Sequence, residues 1–220
     1  MHHPMPPTLV RTAGFARAVA LLLLAACMPS DAATPVVGLP CEDCDVPLIG
    51  LPADPPSVAR LAPEAEPGER LRLTGRVTDA QGRPRRGVIV YAHQTNRQGV
   101  YPGEGSGGPG VRQHGRLRAW ASSDADGMYT FLTIRPGSYP GSTLPQHIHL
   151  YVIESGCALY YIDDVLFRDD PHLTPEAARK ADKGRGGTGI VTPVQAEGEW
   201  QAHRDIVLGR NIPGYPGCAR

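Results

Sequence analysis

The chain has 220 residues, with 22 Lys+Arg against 22 Asp+Glu, a balance that provides no basic footing for nucleic acid and points to a small or uncharged partner. Its 26 glycines, 23 prolines and aromatic share of 6% disfavour a helical bundle and leave turn-rich β structure, while 41% hydrophobic residues suffice for one core.

Arg11 and Arg17 precede the apolar run Ala18–Ala26, which is too short to cross a bilayer as a helix but suits the core of a signal peptide. Residues 1–26 are therefore read as a signal peptide. Leu24-Ala25-Ala26-Cys27 resembles the bacterial lipobox, in which the cysteine is lipidated and begins the mature chain. On that reading Cys27 is the lipidation site, and the protein is exported and membrane-anchored on the periplasmic or cell-surface side, meeting the membrane through its lipid only. The alternative is an ordinary signal peptide cut near Ser30-Asp31-Ala32-Ala33. Both readings place the protein outside the cytoplasm. Cleavage before Cys27 removes two arginines and no acid, so the mature chain stays close to neutral.

From Met28 to Arg70 there are nine prolines and no sustained hydrophobic period, so residues 27–69 are predicted to be an extended tether. Cys41-Glu42-Asp43-Cys44 lies within it. This CxxC has neither a second pair, as a zinc knuckle needs, nor the βα surroundings of a redox site, and a structural disulfide is the favoured reading. In an oxidising compartment Cys41, Cys44, Cys157 and Cys218 allow two disulfides in any of three pairings. If the local pair forms, Cys157 and Cys218 remain to tie the C-terminal tail to the body.

Residues 70–220 read as strands. Leu71-Arg-Leu-Thr-Gly-Arg-Val77 alternates, Asp79–Pro84 supplies a turn, and Val88–His93 is β-branched and apolar. Leu117–Ser122 alternates again, and Asp124-Ala-Asp-Gly127 is predicted to be a hairpin turn into Met128–Ile134. Further strands are expected at His147–Ile153, Leu159–Phe167 and Trp200–Leu208. Gly103–Gly110 lacks the strand-to-helix context of a phosphate loop and is read as a loop. One short helix is expected at Thr174–Ala181, capped by Thr174 with Pro175 in its first turn. The fold class is all-β: a β-sandwich with one short helix and long loops.

His147-Ile-His149 lies in a strand pattern, where side chains two apart share a face about 6.5 Å apart, close enough to ligate one metal ion. Alone, this pattern is more often ordinary sheet surface. Tyr139 lies in a turn eight residues upstream and Tyr101 in a loop after a strand, and simple turn packing would account for both. No nearby carboxylate or third histidine supplies a facial triad or a zinc set. Two tyrosinates with two imidazoles form a hard, dianionic donor set, and ionising a phenol of pKa about 10 calls for a strongly Lewis-acidic cation. Ferric iron fits best.

Tyr101, Tyr139 and His147-Ile-His149 resemble the iron ligands of the intradiol ring-cleavage dioxygenases, the family of protocatechuate and catechol dioxygenases. The similarity runs from about Arg70 to Phe167, roughly half the chain. It includes Leu73-Thr-Gly-Arg-Val, Val90-Tyr-Ala-His-Gln-Thr-Asn, the run from Asp124 to Pro140, and His147-Ile-His. The resemblance implies a sandwich of the intradiol dioxygenase type with Fe(III) held by Tyr101, Tyr139, His147 and His149. It also implies a catechol-type aromatic and O2 as substrates, ring cleavage between the two hydroxylated carbons to a muconate-type diacid, and no external reductant. Tyr139 is, on the same ground, the catalytic ligand that gives way to substrate.

Two departures stand out. Where many members carry Arg-Pro-Ala before His-x-His, this chain has Leu144-Pro145-Gln146, and the spacing from Tyr139 to His147 is short. Arg116, Arg118 and Arg135 are candidates for the missing cation, although a solvated strand-face charge or a surface ion pair is the simpler reading of each. His93 and His114 are expected to be structural, and Tyr151, Tyr160 and Tyr161 to pack within the sheets. The competing functional class is a surface binding module that retains the scaffold and metal site without turnover. Nothing in the sequence sets the number of copies in an assembly.

Overall fold

The computed structural model describes residues 1–3, 34–38, 43–103 and 109–218. The chain divides into two compact units, Met1–Asp31 and Ala32–Arg220, and the fold described is that of the second. Cys27, Cys41 and residues 4–26 of the expected signal peptide lie outside the described residues.

Two sheets face each other. The first takes the order β1 (Val58–Arg60), β5 (Met128–Ile134), β2 (Arg70–Thr78), β10 (Glu199–His203), β9 (Val194–Ala196), with β11 (Ile206–Val207) also on β2. The second takes the order β4 (Arg118–Ser122), β3 (Ile89–Gln94), β6 (His147–Glu154), β7 (Ala158–Phe167), β8 (Ile190–Val191). Alternation builds the core between them: Leu71, Leu73 and Val77 from β2 and Tyr129 and Phe131 from β5 meet Val90, Ala92, Ile148, Leu150 and Val152 of β3 and β6. Each such side chain contributes about 1.5–3 kcal/mol when fully buried.

The second sheet is covered on its other face as well. Ile89 and Tyr91 of β3, Tyr151 and Ile153 of β6 and Leu159 of β7 form a second cluster with Val36, Cys44, Leu51 and Trp120. The covering segment is held by backbone bonds, Val37 N to Leu159 O and Leu159 N to Pro35 O at 2.9 and 2.8 Å, and by Trp120 Nε1 donating to Pro47 O at 2.7 Å.

These contacts correct the expected tether. The described part of residues 27–69 is packed, with a 3-10 turn at Val46–Leu48, β1 paired in parallel with β5, and Leu61 and Ala62 buried. Its prolines end short elements without keeping the chain off the body, because the outer face of the second sheet is apolar and needs cover. The expected hairpin is also corrected. The Asp124–Gly127 turn forms, with Met128 N and Asp126 N both donating to Asp124 Oδ1, but β4 pairs with β3 and β5 with β2. The turn therefore crosses between sheets.

α2 (Pro175–Ala181) forms as expected, Thr174 Oγ1 accepting from Ala177 N at 3.1 Å. A second short helix, α1 (Pro109–His114), begins inside the stretch read as a loop. The strand expected at Trp200–Leu208 is split into β10 and β11, where Arg204 N turns to Thr74 O. A disulfide joins Cys157 to Cys218, with 5.8 Å between their Cα atoms, and Cys44 is disulfide-bonded as well.

Leu61, 2% exposed in the main core, separates a packed segment from a tether. Leu61→Ala is expected to lower unfolding free energy in urea by about 2–5 kcal/mol; a change below about 0.5 kcal/mol, as for a solvated position, would return residues 27–69 to the tether reading.

Candidate metal centre

β6 sends Ile148, Leu150 and Val152 into the core and turns His147 and His149 to the outer face of the second sheet. The two tyrosines arrive on loops. Tyr101 follows β3, and Tyr139 lies on the irregular stretch between β5 and β6. These loops are stitched together: Thr95 Oγ1 donates to Gly137 O at 2.8 Å and Gly137 N to Asn96 O at 2.8 Å. Gly99 makes the approach possible. It has φ +75°, and a Cβ there would stand 1.8 Å from the Ser138 carbonyl oxygen.

The four side chains expected from sequence converge. Tyr101 Oη and Tyr139 Oη are 2.8 Å apart, His149 Nε2 is 2.9 Å from Tyr101 Oη, and His147 Nε2 is 3.1 Å from Tyr139 Oη. The far sides of both imidazoles are fixed. His147 Nδ1 donates to the Pro145 carbonyl at 2.7 Å and His149 Nδ1 to Asp164 Oδ1 at 2.9 Å, so each neutral ring turns its Nε2 lone pair toward the phenols.

Asp164 was not among the residues expected at the site. The β6–β7 ladder shifts register between Ile148 and Leu150, which pair with Val165 and Ile162, so Asp163 and Asp164 together stand opposite His149. This bulge turns the two carboxylates to different partners, Asp164 to His149 and Asp163 to Arg185. Two adjacent acids inside the apolar run Leu159–Phe167 are the sequence signal that could have revealed them.

Burial sets the protonation states. It pushes both phenols above their ordinary value, Tyr101 further because of its hydrogen bond to Tyr139. Burial and then the charge of His149 lower His147. Burial alone would lower His149 too, but the Asp164 carboxylate outweighs it and raises that pKa; burial likewise works against ionised Asp164, and His149 with its hydrogen bond brings it down. Two neutral phenols and two outward lone pairs form a donor set that ionises around a strongly Lewis-acidic cation. Among the described residues no group of three or more His, Cys, Asp or Glu offers a metal site, so the tyrosines are required to complete one.

Two cavities reach this cluster. One, of about 400 Å³, is lined on its far side by Asp43, His93, Gln113 and His114; the other, of about 550 Å³, lies against Leu144, Pro145, Ala177 and Lys180 of the α2 side. Tyr139, His149, Tyr161 and Arg185 line both. This places several residues differently from expectation. Tyr151 and Tyr161 line a cavity, while Tyr160 is in the core, donating to Glu154. His93 and His114 also border the site, their rings stacked at 3.7 Å with His93 against His149 at 4.5 Å. His114 is drawn down to about 4 by burial and then by the charge of His149.

None of the three arginines named as candidates for the cation lines either cavity, which agrees with the simpler reading of each as a surface charge or ion pair. Arg116 bonds Glu66 at 2.6 Å, Arg118 lies over Trp120, and Arg135 is held by Asp169 and Gln146 between the rings of Phe167 and Trp200.

A sandwich with two phenols and two imidazoles gathered at one end of an outer sheet face has the architecture of the intradiol dioxygenases. The family model described as Dioxygenase matches residues 52–193, and the chain belongs to that family, the intradiol ring-cleavage dioxygenases of protocatechuate and catechol type. It is 34% identical over 132 residues to the protocatechuate 3,4-dioxygenase beta chain of Burkholderia cepacia, covering 50% of this chain and 53% of that one. The chain thus spans about half the length of this curated relative.

Solved structures share the fold. The dioxygenase domain of a dioxygenase carbohydrate-binding protein fusion from Streptomyces sp. SirexAA-E aligns with TM-score 0.53 and 24% identity over 72% of this chain and 91% of that one. The intradiol ring-cleavage dioxygenase of Tetranychus urticae aligns with TM-score 0.53 and 18% identity over 81% and 96%. Catechol 1,2-dioxygenase of Acinetobacter radioresistens aligns with TM-score 0.54 and 20% identity over 86% and 66%.

Two measurements test this construction. Gly99→Ala is expected to cost about 2 kcal/mol or more in urea unfolding, since Ser138 must move and takes Tyr139 with it; a loss below about 0.5 kcal/mol would show that the loops tolerate separation. The second concerns metal-free protein. The raised His149 pKa stabilises the fold fully below the unfolded value of 6.5, and that contribution is lost as pH rises through the folded value. The lowered Asp164 pKa stabilises above 3.8, a contribution lost as pH falls through its folded value. The pair therefore contributes most between 3.8 and 6.5. In Asp164→Asn the His149 titration followed by NMR is expected to drop below 6.5, and an unmoved titration would remove Asp164 as its partner.

Proposed function

We propose that the protein is an exported, lipid-anchored, non-haem ferric dioxygenase. It cleaves a catechol-type ring between its hydroxylated carbons with O2, both oxygen atoms entering a muconate-type diacid. The observation that carries this reading is the convergence of Tyr101 Oη, Tyr139 Oη, His147 Nε2 and His149 Nε2. The 34% identity to a protocatechuate 3,4-dioxygenase chain supports the substrate class. Fe(III) held by these four would supply Lewis acidity to ionise the catechol and the electronic coupling that lets its ring react with O2.

The chain's own residues supply the rest. Tyr101 packs against His93 and His149, with ring centroids 5.7 and 6.4 Å away, and holds its place. Tyr139 lines both cavities, and, as the resemblance implies, it would be the ligand that gives way to substrate, its ionised Oη taking up one catechol proton while the other passes to a water-derived base. His147 and His149 stay oriented by Pro145 O and Asp164. The two disulfide-bonded regions, at Cys44 and Cys157–Cys218, fit an oxidising compartment, and Arg11, Arg17, Ala18–Ala26 and Cys27 supply the export and lipidation signal. No helix among the described residues is long and apolar enough to cross a membrane.

Visible spectroscopy with oxygen uptake tests the reading. Ferric-loaded protein is expected to be coloured by tyrosinate, to shift its band with catechol, and to consume O2 one-for-one with catechol. Tyr101→Phe is expected to lose most of the colour; Tyr139→Phe is expected to retain part of the iron and slow catechol binding and turnover at least 10-fold. Colour and catechol binding without oxygen uptake would establish the binding module instead.

A further inference from the structure

Arg185 lies on the loop between α2 and β8, far in sequence from every donor, and among the described residues is the one arginine that lines both cavities opening onto Tyr139 and His149. The residue is fixed by its backbone and from two sides of its guanidinium. Nε donates to Asp163 Oδ1 at 3.1 Å and the backbone N–H to Asp163 Oδ2 at 3.2 Å, while the guanidinium carbon stands 4.5 Å from the Tyr161 ring centroid. The loop itself is clamped by Arg204. This side chain is 1% exposed and donates to the carbonyls of Arg185, Gly186 and Gly187 at 3.2, 3.2 and 3.1 Å.

All of this grips Arg185 by its backbone, its Nε and one flat face. Among the described residues no protein atom accepts from its two Nη nitrogens, and the side chain is 25% exposed. A rigid planar cation with its fork of donors left open beside a cluster of phenols is arranged for an oxygen anion that the protein does not itself provide. Among the described residues Lys180 is the other cation lining these cavities; it is exposed and lines only the one on the α2 side.

We propose that Arg185 is the substrate-anchoring residue: its Nη nitrogens donate to an oxygen of the bound, deprotonated catechol and hold the negative charge there while the ring opens. This rests on the ferric dioxygenase reading and adds the residue that selects and orients the substrate. Asp163, 3% exposed, keeps the guanidinium aimed through Nε, and the Tyr161 ring sets its plane. Asp163 and Tyr161 are positioning residues.

The test uses the full chain loaded with ferric iron. Anaerobic catechol titration is followed by the visible band, with iron content, melting temperature and oxygen uptake measured alongside. Arg185→Met is expected to keep the iron content and tyrosinate colour of the parent and to weaken catechol binding about 10- to 100-fold, the range of a lost charge-assisted hydrogen bond. Arg185→Lys is expected to fall between the two. Because Arg185→Met leaves a buried carboxylate without its ion pair, Asp163→Asn/Arg185→Met is run beside it. Here the melting temperature is expected to recover and the catechol affinity to stay low. Parent-like catechol affinity and oxygen uptake in either Met variant would overturn the assignment and leave Arg185 a structural ion-pair partner. A parent chain that takes up no ferric iron would overturn the dioxygenase reading and the role of Arg185 with it.

Discussion

The strand alternation of β6 is the constraint on which the molecule depends. One strand supplies Ile148, Leu150 and Val152 to the core and His147 and His149 to the opposite face. Its antiparallel pairing with β3, His93 opposite His149 and Ala92 opposite Leu150, locks which set goes where. A slip of one residue would bring imidazoles into the hydrophobic layer and expose the core. The hydrophobic free energy of the sandwich therefore also fixes the orientation of two donors, and the site inherits its rigidity from the core.

The remaining geometry is added by irregular structure. Gly99 lets one loop lie against the other so that two phenols meet, and the β7 bulge places two acids opposite one histidine. Each departure from regular sheet has a chemical consequence. The bulge lets Asp164 hold His149 while Asp163 holds Arg185, a division that a regular ladder, with one residue opposite His149, would not allow. Burial then works against every charge in the cluster except where a partner is built in, which leaves the phenols neutral until a cation arrives.

Much of this was legible in the residues. The strand pattern, the capped helix at Thr174 and the candidate set Tyr101, Tyr139, His147 and His149 were readable because strand periodicity, cap chemistry and a resemblance of motifs are local in sequence. The turn at Asp124–Gly127 was readable too, but its partners were not: the same turn closes a hairpin or crosses between sheets, and only the pairing of β4 with β3 distinguishes them. The packing of Val36, Val46 and Leu61 was hidden for a similar reason, since a proline-rich segment shows no period whether it is solvated or draped over an apolar face.

Arg185 and Asp164 mark the limit most sharply. Arg185 lies 36 positions beyond His149 and in no motif, and it reaches the site because Arg204 and Asp163 hold its loop there. The sequence by itself determined the all-β class and the strands that form the core, which follow from periodicity along one stretch of chain, and it offered four candidate donors through their resemblance to the motifs of a known family. Only the tertiary structure decided which carboxylate orients His149, that Arg185 faces the cavities and that residues 43–69 pack on the sheets. Those depend on contacts between segments distant in the chain, whose pairing comes from the packing of two sheets and leaves no local pattern.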